Sequence, residues 1–301
     1  MKKKYNVLRK VISTELCEFL KNYFLESEKV AKLYFATDFI SQFNKEYGVF
    51  NDPQVEGSYA IYGSIVGDMV LQQLKPLVEK NLKKKLYETY SYARVYKKGD
   101  ILERHKDRFS CKISGTLNLG GEAWPIHIAN NPSEGKAEGR ILGGGRSEKY
   151  IPGTAKGESV ILNAGDMLLY PGAELEHWRE PLKKGKCIQL FVHFVNVKDK
   201  DAEKYKHDGR PILGVDTLIR KDKKMITQWD HEQLKKKIEE LKTTLNEKEV
   251  LLDSELQMNS FLKTQNESLK IHLDMLAQLN RKFADKLAKE RMLFSTHLNK
   301  I

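Results

Sequence analysis

Ala93-Arg94-Val95-Tyr96-Lys97-Lys98-Gly99-Asp100-Ile101-Leu102-Glu103-Arg104-His105-Lys106-Asp107 decides how this chain is read. His105 and Asp107 stand on what reads as the end of a β-strand. Residues two apart on a strand point to the same side, so both can reach one ion. Farther along, Glu176-His177-Trp178-Arg179-Glu180-Pro181 supplies another imidazole. Two imidazoles and one carboxylate can occupy one face of an Fe(II) octahedron and leave the opposite positions open. The tripeptide alone does not establish this, because a charge-rich surface strand end has the same composition.

Outward from this stretch the chain changes period twice. Residues 10–85 read as mainly helical. Ser13-Thr14 is an N-cap signal with Glu15 in the first turn, and Leu16, Phe19, Leu20 and Phe24 share a face. A second helix is expected from Val70 through Lys85, with Leu71, Leu74, Leu77 and Leu82, in spite of Pro76. Turn residues at 51–58 are placed to border a substrate groove. From about residue 86 short strands separated by Gly, Asn and Pro take over. They are expected at 87–97, 112–119, 124–129, 159–163, 167–170 and 187–197. Many short strands with turns between them predict two facing antiparallel sheets, a jelly roll in an α+β chain. The insert 130–154 contains Gly143-Gly144-Gly145 but lacks the Lys-Ser/Thr of a phosphate loop, so a mobile loop is expected and not a nucleotide site.

After Gly214 the chain has neither Gly nor Pro, and from Leu234 a heptad register runs to Ile301. Its a positions are Ile238, Leu245, Leu252, Asn259, Asn266, Leu273, Asn280, Leu287, Phe294 and Ile301. Its d positions are Leu234, Leu241, Lys248, Glu255, Leu262, Leu269, Leu276, Phe283, Glu290 and His297. Asn at an a site lowers stability but favours a parallel, in-register dimer, because the amides pair across the seam. A long C-terminal coiled-coil helix and a parallel homodimer are therefore expected; a helix folded back on the first domain is the alternative. The predicted organisation is a helical part at 1–85, a strand-rich core at 86–215, a linker at 216–227 and the coiled coil at 228–301.

Composition bounds the compartment and the partners. A chain of 301 residues, 40% hydrophobic, can bury one sizeable core with something appended. Cys17, Cys111 and Cys187 are too few and too scattered for a disulfide framework, which points to a reducing, cytoplasmic compartment. Met1-Lys2-Lys3-Lys4 looks like the start of a signal peptide, but Leu8-Arg9-Lys10 and Glu15 interrupt any apolar run. No stretch approaches the ~18–20 apolar residues of a spanning helix. The net charge is +11, and almost all of the excess precedes residue 227. Without aromatics interleaved in the Lys runs this reads as a solvated surface, and a nucleic-acid partner is not expected.

The stretch 93–107, with Tyr96, Gly99 and the closing His105-Lys106-Asp107, resembles the 2-oxoglutarate/Fe(II) oxygenases, in particular the prolyl 4-hydroxylase-like branch. Gly165-Asp166-Met167-Leu168-Leu169-Tyr170-Pro171-Gly172, followed by His177, is similar to the turn and strand before the distal His of those enzymes. Cys187-Ile188-Gln189-Leu190-Phe191-Val192-His193-Phe194 resembles their returning strand, and Asp208-Gly209-Arg210-Pro211 the tail of small bacterial and phage members. The resemblance covers roughly residues 10 to 215, with its motifs in order. It implies a double-stranded β-helix with His105 and His177 near opposite strand ends at one mouth of the barrel. It also implies Fe(II) on His105, Asp107 and His177, with 2-oxoglutarate as chelating co-substrate, O₂ at the remaining position, and ascorbate as reductant. Two neutral imidazoles and one carboxylate would leave the iron site with a net positive charge that attracts the dianionic co-substrate.

For the far carboxylate of 2-oxoglutarate the chain departs from its relatives. They place a Lys ten residues after the distal His, where this chain has Cys187. Lys186, nine residues after His177, matches the spacing at which the oxygen-sensing relatives carry Arg. Gln189 shares a face with Cys187, and Tyr96 matches the family Tyr whose hydroxyl helps hold the co-substrate. The expected co-substrate residues are thus Lys186, Gln189 and Tyr96. A surface Lys beside Lys183-Lys184-Gly185 is the other reading of Lys186. Trp124 and Trp178 are expected to pack the barrel and His193 to lie inside it. His127 is excluded as a ligand, having no acidic partner two residues away. Arg179 either salt-bridges a neighbouring carboxylate or reaches the co-substrate.

The function expected is a dioxygenase that hydroxylates a protein or peptide side chain, prolyl hydroxylation first. Nucleic-acid demethylases of this class carry a further Arg down the strand after the distal His, and no Arg stands between Arg179 and Arg210. Small metabolites remain open as substrates. The reading from another class is an assembly or adaptor protein in which the coiled coil is the working part and the jelly roll a retained scaffold.

Overall fold

Two antiparallel sheets of short strands make up the part of the chain that carries all the candidate ligands. The structure, a computed structural model, describes residues 3–40, 44–141, 147–216 and 231–298. In order, the strands are β1 (Asn6–Leu8), β2 (Tyr59–Tyr62), β3 (Leu86–Lys97), β4 (Leu102–His105), β5 (Ile113–Gly121) and β6 (Ile126–Ile128). They continue with β7 (Lys136–Ile141), β8 (Ser147–Ile151), β9 (Glu158–Val160), β10 (Met167–Tyr170), β11 (His177–Arg179) and β12 (Lys186–Asn196). The larger sheet runs β1-β10-β5-β12-β3-β2, the smaller β4-β11-β6-β9, and β7 pairs with β8. Tyr96 and Cys187 of the larger sheet meet Leu102 and Trp124 on the side of the smaller, so the two sheets close on a shared interior. This is the jelly-roll arrangement that the strand spacing predicts. β1, β2, β4 and β11 have three or four residues each, too few for a period to show in sequence.

Helices α1 (Thr14–Ala36) and α2 (Ile65–Leu82) cover the outer face of the larger sheet. Strand alternation decides what they cover: Ile188, Leu190, Val192 and Phe194 of β12 join Leu20, Phe24, Leu71 and Leu74 in one apolar cluster. Ser13 caps α1, its side chain accepting from the Leu16 amide at 3.2 Å. α2 begins at Ile65, earlier than the expected Val70, because Ser64 caps it by accepting from Gly67 N at 3.2 Å. It also continues through Pro76, since Val70, Leu71, Leu74 and Val78 are buried on both sides of the break.

Residues 130–154 are not a plain loop. They contain the hairpin β7–β8, with Ala137 opposite Tyr150 and Glu138 opposite Lys149. Glu176, fully buried, accepts from the Tyr150 hydroxyl at 3.1 Å, from Gly153 N at 2.8 Å and from Arg104 Nη1 at 3.0 Å. These bonds join residues far apart in sequence, and local composition carries no sign of them. Gly143, Gly144 and Gly145 lie outside the described residues.

The chain divides into two compact units, Met1–Met225 and Ile226–Ile301. The first closes on a strap that includes α3 (Ala202–Tyr205) and ends in a buried lock. Arg210 is fully buried, and its Nη1 lies 3.0 Å from Asp68 Oδ2. Arg210 also donates to the carbonyls of His207, Thr89 and Val215, while Asp68 accepts from Ser91 N, Ser91 Oγ and Gly214 N. Gly63, at φ +59, lies under this guanidinium, and a Cβ there would collide with Arg210 Nη1. The second unit is α4 (His231–Leu298), whose side chains are exposed from Ile238 to Lys289. No helix among the described residues is long and apolar enough to cross a membrane.

Candidate metal centre

β4 ends at His105 and β11 begins at His177, and the two residues pair directly across the smaller sheet. Their rings lie 4.2 Å apart between centroids. Asp107 follows β4 and is fixed by its backbone N–H, which donates to Gly172 O at 2.9 Å. Its Oδ1 stands 3.7 Å from His105 Nε2 and 3.6 Å from His177 Nε2. One ligand atom from each residue lies within 4.8 Å of the others.

Hydrogen bonds turn these atoms toward one another. His105 Nδ1 meets Glu103 O at 2.8 Å, and His177 Nδ1 meets Leu175 O at 3.0 Å. A carbonyl can only accept, so each Nδ1 carries the proton and each Nε2 is an acceptor atom of the kind a metal uses. The Ser114 hydroxyl donates to Asp107 Oδ2 at 2.6 Å, which leaves Oδ1 to face the imidazoles. Ser114 in turn accepts from His193 Nδ1 at 3.1 Å. Gly172 is required here: a Cβ on it would collide with both Asp107 Oδ2 and Ser114 Oγ.

The electrostatics agree with this donor set. Burial, and after it the neighbouring His177, pull His105 down to about 4, so its imidazole is neutral near pH 7. Burial raises the Asp107 pKa, but His177, His193, His105 and the Ser114 hydroxyl together hold it below the usual carboxylate range. Two imidazoles and one carboxylate form the open-faced set suited to non-haem Fe(II). Asp107, Cys111 and His193 also lie close together. Burial pushes the Cys111 thiol up to about 12, however, and a protonated thiol is a poor ligand. Cys111 instead contacts the Tyr90 hydroxyl at 3.0 Å.

The expected co-substrate residues separate. Tyr96 is fully buried inside the barrel, its ring edge-on to Trp124 at 4.8 Å, and among the described residues its hydroxyl has no hydrogen-bond partner within 3.5 Å. Gln189 also faces inward, accepting from Arg179 Nη2 at 3.2 Å and donating to Asn118 Oδ1 at 2.9 Å. Lys186 is not brought to them. Its position on β12 alternates with Cys187 and Gln189, so its ammonium lies on the helix side, 2.6 Å from Glu28 Oε2 of α1. Trp124 and Trp178 are packing residues, Trp178 stacked against His127 at 5.4 Å with the Arg104 guanidinium also against its ring.

Sequence reasoning missed two residues that touch the centre. Ser114 carries no signal beyond its place on a strand. Gln54 lies in the turn segment 51–58, and its Nε2 stands 3.2 Å from His105 Nε2. Arg94 Nη1 donates to the other end of the same amide at 3.0 Å, while Arg94 Nη2 pairs with Asp52.

No family model and no curated protein match this chain. Among solved structures it is similar to a prolyl-4-hydroxylase from Pseudomonas putida, at 12% identity over 65% of this chain and 94% of that one, with a TM-score of 0.40. It is also similar to the viral collagen prolyl hydroxylase of Paramecium Bursaria Chlorella virus-1 in its 2-oxoglutarate complex, at 12% identity, 65% and 97% coverage and a TM-score of 0.41. HygX of Streptomyces hygroscopicus, with nickel and 2-oxoglutarate bound, is similar at 12% identity, 65% and 84% coverage and a TM-score of 0.42.

Proposed function

We propose that this chain is an Fe(II)/2-oxoglutarate-dependent dioxygenase. The observation that carries the reading is the convergence of His105 Nε2, His177 Nε2 and Asp107 Oδ1. In each residue the remaining polar atom is tied back to protein, by Glu103 O, Leu175 O and Ser114 Oγ. A cluster that only stabilised the fold has no need to turn three ligand atoms toward one point, and the Gln54 amide, 3.2 Å from His105 Nε2, stands where a metal would bind. Bound there, the iron and co-substrate would turn 2-oxoglutarate, O₂ and a C–H group into succinate, CO₂ and a hydroxylated carbon. The protein contributes two imidazoles and a fixed carboxylate. Ascorbate is the proposed reductant that keeps the iron ferrous.

The proposed substrate is a protein or peptide side chain, with proline first. Support for a large substrate is the position of the centre: His105 is only partly buried, at the end of its strand, and the 51–58 segment reaches it through Gln54. The class is tested anaerobically. Fe(II) and 2-oxoglutarate added together should produce a weak visible charge-transfer band that neither produces alone. Absence of the band at saturating concentrations would sink the reading.

We further propose that α4 pairs with a second copy of itself in parallel. Among its described side chains, Ile238, Leu241, Leu245, Leu252, Leu262, Leu269, Leu273, Leu276, Phe283 and Leu287 form one exposed row. Asn259, Asn266 and Asn280 interrupt this row where each can meet its own copy. A peptide spanning 226–301 should sediment as a helical dimer, and a chain ending at Met225 should remain folded and monomeric. Leu251, Met258 and Leu279 at g and Leu256 at e widen the apolar face, so a trimer or tetramer is the outcome that would overturn the dimer.

A further inference from the structure

Three arginines are almost fully buried, and two of them are matched by a carboxylate: Arg94 by Asp52 and Arg210 by Asp68. Arg179 is the exception. It is 1% exposed, and among the described residues its guanidinium contacts only neutral oxygens, the Trp124 carbonyl and Gln189 Oε1 at 3.2 Å. Its Nε–H has no hydrogen-bond partner among the described residues. A buried charge without a counter-charge is costly, and an anionic ligand bound beside it would remove that cost.

A second unsatisfied donor lies beside it. Tyr96, the fully buried phenol whose hydroxyl has no hydrogen-bond partner within 3.5 Å among the described residues, shares the Trp124 ring with Arg179. The Arg94 guanidinium, its Nε–H also unpaired there, stands 5.5 Å from the phenol ring. The indole is 4.8 Å from the Tyr96 ring and 4.9 Å from the guanidinium. Arg179 and His177 stand two apart on β11, on the face opposite Trp178, so Arg179 lies about 6.6 Å deeper along the strand than the metal ligand. Arg179 and Tyr96 thus place unpaired donors for an anion along the strand from the proposed metal ligand.

We propose that Arg179, together with the Tyr96 hydroxyl, receives the far carboxylate of 2-oxoglutarate. This rests on the dioxygenase reading and assigns to Arg179 the role that spacing suggests for Lys186, whose ammonium is engaged by Glu28 on the other face of the sheet. Gln189 becomes a positioning residue, its amide oxygen holding the guanidinium and its amide nitrogen held by Asn118.

The test uses full-length protein loaded with Mn(II), which binds without turning over. Titration calorimetry compares 2-oxoglutarate with 2-oxopentanoate, which has the same carbon chain and keto acid head but no far carboxylate. The wild-type protein should prefer 2-oxoglutarate by roughly ten- to a hundred-fold, the range of a charged hydrogen bond. Arg179→Met should lose that preference while keeping its Mn(II) affinity and its affinity for 2-oxopentanoate; Lys186→Ala should retain the preference in full. Undiminished preference in Arg179→Met, or its loss in Lys186→Ala, overturns the assignment. Should Arg179→Met fail to bind Mn(II), Tyr96→Phe decides, because it removes only the unpaired hydroxyl. Weaker 2-oxoglutarate binding with unchanged 2-oxopentanoate binding supports the site, and unchanged binding of both overturns it. A wild-type protein that binds Mn(II) but neither keto acid would overturn the dioxygenase reading itself.

Discussion

Asp107→Ala is expected to reduce conversion of 2-oxoglutarate to succinate to the uncatalysed background and to leave the protein folded. The carboxylate is the only anion among the three proposed ligands, so its removal leaves a divalent cation facing two neutral imidazoles. Loss of a hydrogen-bond partner of a ligand typically costs ~10–100-fold in metal affinity, and loss of the ligand should cost more. Ser114→Ala provides the graded comparison, since it removes only the hydroxyl that donates to Asp107 Oδ2 at 2.6 Å. Its effect should fall within that ~10–100-fold range. His105→Ala and His177→Ala should behave like Asp107→Ala. Stability should persist because the three residues occupy strand ends and the following turn, outside the main apolar cluster. Succinate formation at the wild-type rate in any of the three variants, measured with Fe(II) restored, would refute the centre.

The second large effect is expected far from the metal. Asp68→Ala should destabilise the first unit by ~3–5 kcal/mol, the cost of leaving a buried charge without its partner. Arg210 would keep its carbonyl contacts but lose its only anion among the described residues, and Ser91 and Gly214 would lose the acceptor they share. Pairing Asp68→Ala with Arg210→Met should recover part of that loss, because no charge remains stranded. Equilibrium denaturation of the two single variants and the double variant checks this as a cycle. Simple additivity would show that the lock is two separate interactions. The lock also bears on where the tail can be removed: a chain cut at Gly214 loses the Val215 carbonyl that Arg210 Nη1 reaches at 3.1 Å, whereas one ending at Met225 keeps it.

Much of the proposed metal centre is legible in the sequence. His105 and Asp107 are two apart at a strand end, and alternation alone puts them on one side. The distal His177 is reached through its resemblance to known sequences, not through any local period. Its three-residue strand is too short to show one, and only its pairing with His105 brings it to the site. The co-substrate end is less legible. Counting residues from His177 selects Lys186, but a count does not say which face of a strand a residue takes. Gln189 and Cys187 face inward, and Lys186, one position from Cys187, faces α1.

Sequence by itself determined the ligand types, the alternation that lets them meet, and the helical tail. These depend on local chemistry: imidazole and carboxylate identity, a two-residue strand period, and a long run free of Gly and Pro. Tertiary structure decided which cation stands inside the barrel. Glu28, 158 positions from Lys186, draws that ammonium to the helix side, and Gln189 and Trp124 hold Arg179 within. It also decided that β7 pairs with β8, with the buried carboxylate of Glu176 holding Tyr150 and Gly153. Each of these depends on partners that local composition does not reveal, a carboxylate for Lys186 and neutral oxygens for Arg179.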